Sequence, residues 1–141
     1  MKKERILTQA EAADWQSAVR LVGNLLEQDG CISADYTQQM IEAILTLGPY
    51  IVILPGFALC HAAPSKAVLQ DGISLVTLKS GVEFGSPNDP VTVCMGLCSR
   101  DGKAHMAQLQ KLAAKLMEPE VLERIKEAND SEIILNLFEE T

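Results

Sequence analysis

The most informative part of the sequence is residues 48–62, which read GPYIVILPGFALCHA. Residues 50–54 are apolar and rich in β-branched and aromatic side chains, which predicts a strand buried on both of its faces. Pro55 and Gly56 break or bulge that strand. His61 then stands as a single polar ring among small apolar residues. It is therefore the first residue to consider for chemistry.

Two amphipathic helices are predicted before this stretch. Asp14 can cap the first helix, in which apolar residues recur every three or four positions, and this helix should end near Gly30. Ser33 or Asp35 can cap the second helix. Gly48-Pro49 should stop it, because a proline disfavours helical backbone in the residue before it.

The rest of the chain mixes strands and helices. Residues 73–78 and Val91–Cys98 have the apolar, β-branched character of sheet strands, and glycine and proline residues separate them. Helices cluster at both ends of the chain. The sequence therefore predicts an α/β fold, a three-layer α/β/α sandwich around a mixed sheet. A length of 141 residues suits one domain that spans 1–141.

The C-terminal part is predicted to be helical. A helix follows a turn at residues 99–102, a shorter helix runs from Pro119 through Glu127, and Ser131 can cap the last helix. In the first of these helices one face carries His105, Leu109, Leu112 and Leu116. His105 thus opens the buried stripe of its helix.

The composition limits the classes of function. With 12 basic and 19 acidic side chains the formal net charge is -7, the wrong sign for broad contact with nucleic acid, and one that would suit a basic protein partner. No segment approaches the roughly 18 apolar residues of a membrane span, and the N-terminus lacks the apolar core of a signal peptide. We therefore expect a cytoplasmic protein without direct membrane insertion.

The four cysteines, Cys31, Cys60, Cys94 and Cys98, are expected to be free thiols, since a domain of this size in a reducing compartment does not need disulfides. A zinc site is the alternative, because Cys94 and Cys98 share one face of a strand and the two histidines could join them. The paired-cysteine loop spacing of zinc sites is absent, so no metal and no other cofactor is predicted.

His61 and His105 are the only histidines, and each lies near the end of a strand-like run, where open α/β sheets bind their ligands. Periodicity alone favours a structural role for both, because a histidine on an apolar stripe is usually a packed core residue. A histidine side chain, with an ordinary pKa of about 6.5, still offers a nucleophilic lone pair near neutral pH. Ala58, Ala62 and Ala63 would leave room for a second protein to approach His61.

Residues 48–62 resemble the active-site segment of the mannitol/fructose-type enzyme IIA domains of the bacterial phosphotransferase system. The ascorbate-type branch is the most similar, because there a Gly-Pro-Tyr precedes an apolar stretch and a Pro-Gly leads to the histidine. Residues 105–113, HMAQLQKLA, resemble the second motif of that family, a helix that opens with histidine. The Tyr36 helix and the Trp15 opening of the first helix also fit, so the resemblance covers nearly the whole chain.

The resemblance implies a mannitol/fructose-type IIA fold and a phosphotransferase in which His61 accepts the phosphoryl group and His105 stabilises it. The implied donor is the histidine phosphocarrier protein, and the implied acceptor is a cysteine of a IIB component. A membrane IIC component would act downstream in sugar uptake, with ascorbate or a related pentose or polyol favoured. The oligomeric state stays open, with a homodimer among the options.

Two positions depart from the family pattern. Cys60 stands where many members have a proline before the active histidine, which leaves the backbone less constrained. Ala43 stands where the mannitol-type relatives carry an arginine that assists the phosphoryl group. The ascorbate-like members also have an alanine at this position. Charge compensation would then come from elsewhere, for example from an arginine of the donor.

Two other classes of function stay open at this point. A regulatory module would use the same phosphorylated histidine but would bind a transporter or a transcription regulator. A plain binding domain with core histidines would take no phosphate. Because the sequence is interpreted as one domain without a fused DNA-binding or IIB segment, the transport role is favoured.

Overall fold

The computed structural model describes residues 2–118 and 120–139, without the side chains at positions 104, 105, 108, 109 and 139. A 3-10 turn at Lys3–Arg5 comes first. The helices and strands that follow in this part of the chain are β1 (Ile6–Ala10), α1 (Trp15–Gln28), α2 (Ala34–Leu47), β2 (Phe57–Cys60), β3 (Gly72–Val82), β4 (Val91–Cys98), α3 (Gly102–Leu116), α4 (Val121–Glu127) and α5 (Ser131–Glu139).

The strands form one sheet in the order β1-β3-β4-β2. β3 and β4 are antiparallel, whereas β1 pairs with β3 and β2 pairs with β4 in parallel. The sheet is therefore mixed, as predicted. The parallel pairing puts the carboxyl ends of β2 and β4 at the same edge, where Cys60 lies opposite Gly96.

Apolar side chains cover both faces of this sheet, because successive residues of a strand point to opposite sides. Val76 of β3 belongs to a first core cluster together with residues of α1 and α2. The adjacent Leu75 belongs to a second core cluster together with residues of α4 and α5. Helices thus pack on both faces, and the predicted three-layer α/β/α sandwich is confirmed.

The first two helices lie where the periodicity predicts them. Asp14 caps α1, since its carboxylate accepts a hydrogen bond from the Ser17 amide at 2.8 Å. α2 begins after Ser33 and ends at Gly48, whose φ of 84° is a conformation that favours glycine. The Ser33 side chain makes no capping hydrogen bond, so it is the C-terminal end of α2 that follows from residue type.

The predicted strand at residues 50–54 is wrong. Ile51 and Val52 are buried, but Tyr50 and Ile53 are exposed, and the segment forms turns. The Ile51 carbonyl accepts a hydrogen bond from the Leu59 amide at 2.8 Å, so the segment doubles back beside β2. Prolines at positions 49 and 55 lack the amide hydrogens of a strand ladder, and the strand forms only after them.

Strand β1 has no counterpart in the sequence prediction. It is a short edge strand in which Leu7 is 38% exposed, and the polar residues Thr8 and Gln9 interrupt its apolar pattern. β3 is longer than the predicted 73–78, because it extends to Val82 through three exposed residues. β4 has the predicted bounds.

The C-terminal helices follow the prediction with small shifts. α4 begins at Val121, and Pro119 lies outside the described residues. The capping carboxylate of α5 belongs to Asp130, which accepts a hydrogen bond from the Glu132 amide at 2.9 Å, so the predicted cap at Ser131 is one residue too late. Within the described ranges, no helix combines the length and the apolar character needed to span a membrane.

Candidate active site

His61 lies at the carboxyl edge of the sheet. It follows the last residue of β2, and the turn from β4 into α3 reaches the same edge because β2 and β4 are parallel. A cleft of about 300 Å³ opens there. The residues that line this cleft are Tyr50, His61, Ala62, Ala63, Pro64, Ser99 and Gly102. Open α/β sheets bind ligands at edges of this kind.

A backbone carbonyl orients the imidazole of His61. The ring Nδ1 lies 2.8 Å from the carbonyl oxygen of Leu59. Since a carbonyl oxygen can only accept a hydrogen bond, the hydrogen of the neutral ring is assigned to Nδ1. Nε2 then carries the lone pair of a ring that is half-buried in the cleft wall. This arrangement suits a nucleophile.

Tyr50 restrains the His61 ring from one side. The two ring centroids are 5.6 Å apart with an interplanar angle of 80°, an edge-to-face contact. The Tyr50 hydroxyl lies 3.4 Å from the His61 carbonyl oxygen, a long hydrogen bond. Burial raises the pKa of Tyr50. The phenol therefore stays protonated. Its ring lines the cleft, and its hydroxyl donates the hydrogen bond to the His61 carbonyl.

Small residues keep the cleft accessible. Ala62 is half-buried and Ala63 is exposed, and both line the cleft as the sequence predicts. Ala58 is fully buried in the first core cluster, so the prediction that it contributes to access is wrong. β2 alternates between the two sides of the sheet, and position 58 faces α1 and α2.

A groove of about 440 Å³ adjoins the loop that carries His61. Its lining is Gln39, Glu42, Ala43, Thr46 and Leu47 of α2 together with residues 62–65. Ala43 thus lies beside the His61 loop. Among the described residues, no cationic side chain lines the cleft or this groove. Lys66 and Arg100 line a neighbouring groove of about 510 Å³, which shares Pro64 with the cleft.

The cysteines belong to the core. Cys60 is fully buried, and a hydrogen bond with the Cys94 thiol followed by burial raises its pKa well above the ordinary value. Its thiol therefore stays protonated and packs beside the site. All four cysteines are buried free thiols. Cys94 and Cys98 share a face, but the described residues contain no group of three or more His, Cys, Asp or Glu that could hold a metal ion.

His105 belongs to α3, whose first residue, Gly102, lines the cleft. The His105 side chain lies outside the described residues, so the meeting of the two imidazoles stays a prediction. Of the stripe predicted for this helix, Leu116 is buried and Leu112 packs against the second core cluster. Leu109 also lies outside the described side chains.

Sequence reasoning missed the part that Tyr36 plays at this edge. Its side chain is 1% exposed, and its hydroxyl oxygen accepts a hydrogen bond from the Ala62 amide at 3.0 Å. The same oxygen lies 2.9 Å from the Ala62 carbonyl oxygen. The available signal was a tyrosine on an aliphatic stripe, because a buried phenol needs a partner for its hydroxyl.

The chain matches, over residues 1–141, the family described as "Phosphoenolpyruvate-dependent sugar phosphotransferase system, EIIA 2". It is 32% identical over 127 residues to the mannitol-specific cryptic phosphotransferase enzyme IIA component of Escherichia coli K12, covering 90% of this chain and 86% of that protein. It is 31% identical over 142 residues to the ascorbate-specific PTS system EIIA component of the same strain, covering 99% and 92%. The fold and these similarities define a sugar phosphotransferase component. The chain belongs to the EIIA type 2 family of the phosphoenolpyruvate-dependent sugar phosphotransferase system.

The fold is shared with solved structures. One is the NMR structure of enzyme IIAMTL from Escherichia coli in complex with phosphorylated enzyme IIBMTL. It superimposes with a TM-score of 0.89 at 23% sequence identity, covering 100% of this chain and 98% of that one. The predicted mannitol/fructose-type IIA fold is confirmed.

Proposed function

We propose that this chain is a phosphocarrier in which His61 accepts a phosphoryl group from the histidine phosphocarrier protein and passes it to a cysteine of a IIB component. A membrane IIC component acts downstream in the uptake and phosphorylation of a sugar. The observation that carries the proposal is the contact of His61 Nδ1 with the Leu59 carbonyl at 2.8 Å. This contact leaves the nucleophilic lone pair of the ring on Nε2, and His61 lines the cleft.

Each transfer forms one bond to phosphorus and breaks one. The Nε2 lone pair of His61 attacks the phosphorus of the donor's phosphohistidine, the donor N–P bond breaks, and its electron pair returns to the donor ring. The phosphorylated His61 ring keeps its Nδ1 hydrogen and becomes cationic, and the Leu59 carbonyl stabilises that charge. In the second transfer a thiolate attacks the same phosphorus, and His61 leaves as a neutral imidazole.

The negative charge on the phosphoryl oxygens needs donors during transfer. We assign one donor to the imidazole of His105 and others to backbone amides of the first turn of α3 beyond Lys103, whose own amide donates to the Asp101 carboxylate. The positive charge that offsets the phosphoryl oxygens is assigned to the partner protein, or to Lys66 and Arg100 in the neighbouring groove.

The partners and the substrate belong to the same proposal. The complex of enzyme IIAMTL with phosphorylated enzyme IIBMTL, a neighbour of the same fold, supports a IIB partner. We favour ascorbate or a related pentose or polyol, because of Ala43, the Gly-Pro-Tyr at residues 48–50 and the ascorbate-specific relative that covers 99% of this chain. We place the chain in the cytoplasm as a single IIA domain of residues 1–141.

Phosphorylation of histidine variants tests the acceptor. The purified protein is incubated with histidine phosphocarrier protein that carries radioactive phosphate, and the label on the chain is followed over time. His61→Ala should take up no label, because the nucleophile is gone. His105→Ala is the matched control and should still be labelled, but more slowly by about 10- to 100-fold through the loss of one donor. Label on His61→Ala at the wild-type level would contradict the proposal.

A further inference from the structure

The hydroxyl group of Tyr36 joins three separate parts of the chain. Tyr36 belongs to α2. Its hydroxyl oxygen accepts a hydrogen bond from the Ala62 amide at 3.0 Å and lies 2.9 Å from the Ala62 carbonyl oxygen. It also lies 3.0 Å from the carbonyl oxygen of Leu97, near the end of β4. Ala62 follows His61 directly, so the tyrosine holds the backbone next to the acceptor residue.

Among the described residues, the other polar contacts of the loop at residues 61–64 are both at His61: its Nδ1 meets the Leu59 carbonyl, and its carbonyl meets the Tyr50 hydroxyl. The loop has no regular secondary structure, and apart from the histidine its residues are two alanines and a proline, of which Ala62 packs against the first core cluster. The Ala62 amide finds its partner in the Tyr36 hydroxyl. Because an unpaired amide in a half-buried position is costly, this bond gives the loop one preferred path.

The phenol is suited to a permanent structural contact. Tyr36 is 1% exposed within the first core cluster, so its ring cannot swing out into the cleft without opening the core. Burial raises the pKa of Tyr36 to about 12, and the hydroxyl therefore keeps its hydrogen at any physiological pH. One lone pair accepts from the Ala62 amide while the hydrogen is donated to one of the two carbonyls.

We propose that Tyr36 is a positioning residue for phosphoryl transfer, acting through Ala62 to fix the direction in which His61 presents Nε2. This inference rests on the proposed function of His61. The ring is held on one side by the Leu59 carbonyl, and the backbone that follows the ring is held by Tyr36. Tyr36 itself touches neither the phosphoryl group nor the partner. Its loss should therefore change the rate of transfer and not the affinity for the donor.

The variant Tyr36→Phe tests this role, because it removes the hydroxyl and keeps the ring. In single-turnover transfer from the phosphorylated carrier protein, we expect the rate constant to fall by about tenfold, with the half-saturating donor concentration unchanged. The nitrogen NMR signals of His61 should move from a single tautomer toward a mixture of both, since the loop no longer keeps Nδ1 on Leu59.

The matched control is Thr37→Val, the next residue on the same helix. It removes another buried hydroxyl, which donates to the Glu27 carboxylate on α1 at 2.8 Å and not to the His61 loop. Thr37→Val should lower the free energy of unfolding and leave both the transfer rate and the His61 tautomer as in the wild type. Equal rates for Tyr36→Phe and the wild type, or equal losses in both variants, would overturn the proposal.

A measurement on the unmodified protein avoids dependence on the folding of the variant. The Ala62 amide hydrogen should exchange with solvent at least about tenfold more slowly than the Ala63 amide, because only the former is bonded to Tyr36. Equal exchange would overturn the role of Tyr36. Failure of the proposed function gives a different result: the wild type takes no label, whereas the slow exchange at Ala62 and the single tautomer of His61 are still observed.

Discussion

At the scale of single residues, the restraints on His61 come from both sides of it in the chain. The Leu59 carbonyl holds Nδ1, the Tyr50 ring packs edge-on at 5.6 Å, and Tyr36 binds the next residue. These contacts fix the ring before a partner arrives. In the proposed transfer, less reorganisation is then needed at His61, which is how positioning lowers a barrier.

Asp29 gives a prediction about pH that does not involve the site. Its carboxylate is hydrogen-bonded and ion-paired to Arg5 and also contacts Lys2, and the Arg5 bond first of all lowers its pKa. A carboxyl whose pKa is lower in the folded state stabilises the protein above its unfolded-state pKa, and this contribution is lost as the pH falls through the folded-state pKa. Urea unfolding from about pH 6 to about pH 2 should therefore show a flatter acid limb for Asp29→Asn than for the wild type. Parallel acid limbs would show that the pair contributes nothing.

At the scale of elements, the fit of α1 on the sheet depends on a glycine in β4. A Cβ at Gly96 would lie 2.5 Å from Ser74 Oγ and 3.1 Å from Val22 Cβ, so Gly96→Ala should lower the free energy of unfolding by about 1–3 kcal/mol. Gly102→Ala is the control, because no atom of the described residues lies within 4 Å of its added Cβ, and its stability should be unchanged or slightly raised. Chemical denaturation measures both. Equal stability of Gly96→Ala and the wild type would contradict the close packing of α1 on β4.

The elements also show how far the sequence can be used alone. α1, α2 and β4 were predictable, because their apolar periodicity agrees with their caps and turn residues. Strand β1 was not, since an edge strand with polar residues resembles a loop. The segment at residues 50–54 gave the opposite error, a predicted strand that does not form. Its apolar run is typical of a strand, but prolines flank it, and the Ile51 carbonyl accepts a hydrogen bond from the Leu59 amide instead.

The candidate site also has features that the sequence predicts and features that it does not. His61 could be singled out as a candidate from the family motif, and the structure places it in the cleft wall. The contact with the Leu59 carbonyl was not predictable, because every residue type carries the same backbone carbonyl. The contact of Tyr36 with Ala62 joins positions that are 26 residues apart, and only the packing of α2 beside the end of β2 brings them together.

At the scale of the whole molecule, two cations lie beside the candidate site of an acidic chain. The chain has a formal net charge of -7, yet Lys66 and Arg100 line the groove next to the His61 cleft. Within the described part of the chain, neither side chain takes part in an ion pair. In the proposed function, these two cations beside the His61 cleft would favour the approach of a phosphorylated partner.

Neutralising these cations should slow transfer. We expect the double variant with Lys66→Gln and Arg100→Gln to lower kcat/KM for the phosphorylated carrier protein by about 3- to 10-fold at low salt. The control variant, with Arg20→Gln and Lys79→Gln, changes the net charge equally at two exposed positions outside the lining of the cleft and its grooves. Equal rates for the two double variants would show that only the net charge matters, and not its position.

The most direct test is nitrogen-15 NMR of the chain labelled in its histidines, recorded before and after phosphorylation by the carrier protein. Before the reaction, His61 should be a neutral ring with its hydrogen on Nδ1. Afterwards, the phosphorus coupling should fall on Nε2 of His61, with the hydrogen still on Nδ1 and no phosphorus on His105. Phosphorus on Nδ1 of His61, or on His105, would contradict the account of the acceptor given by the Leu59 contact.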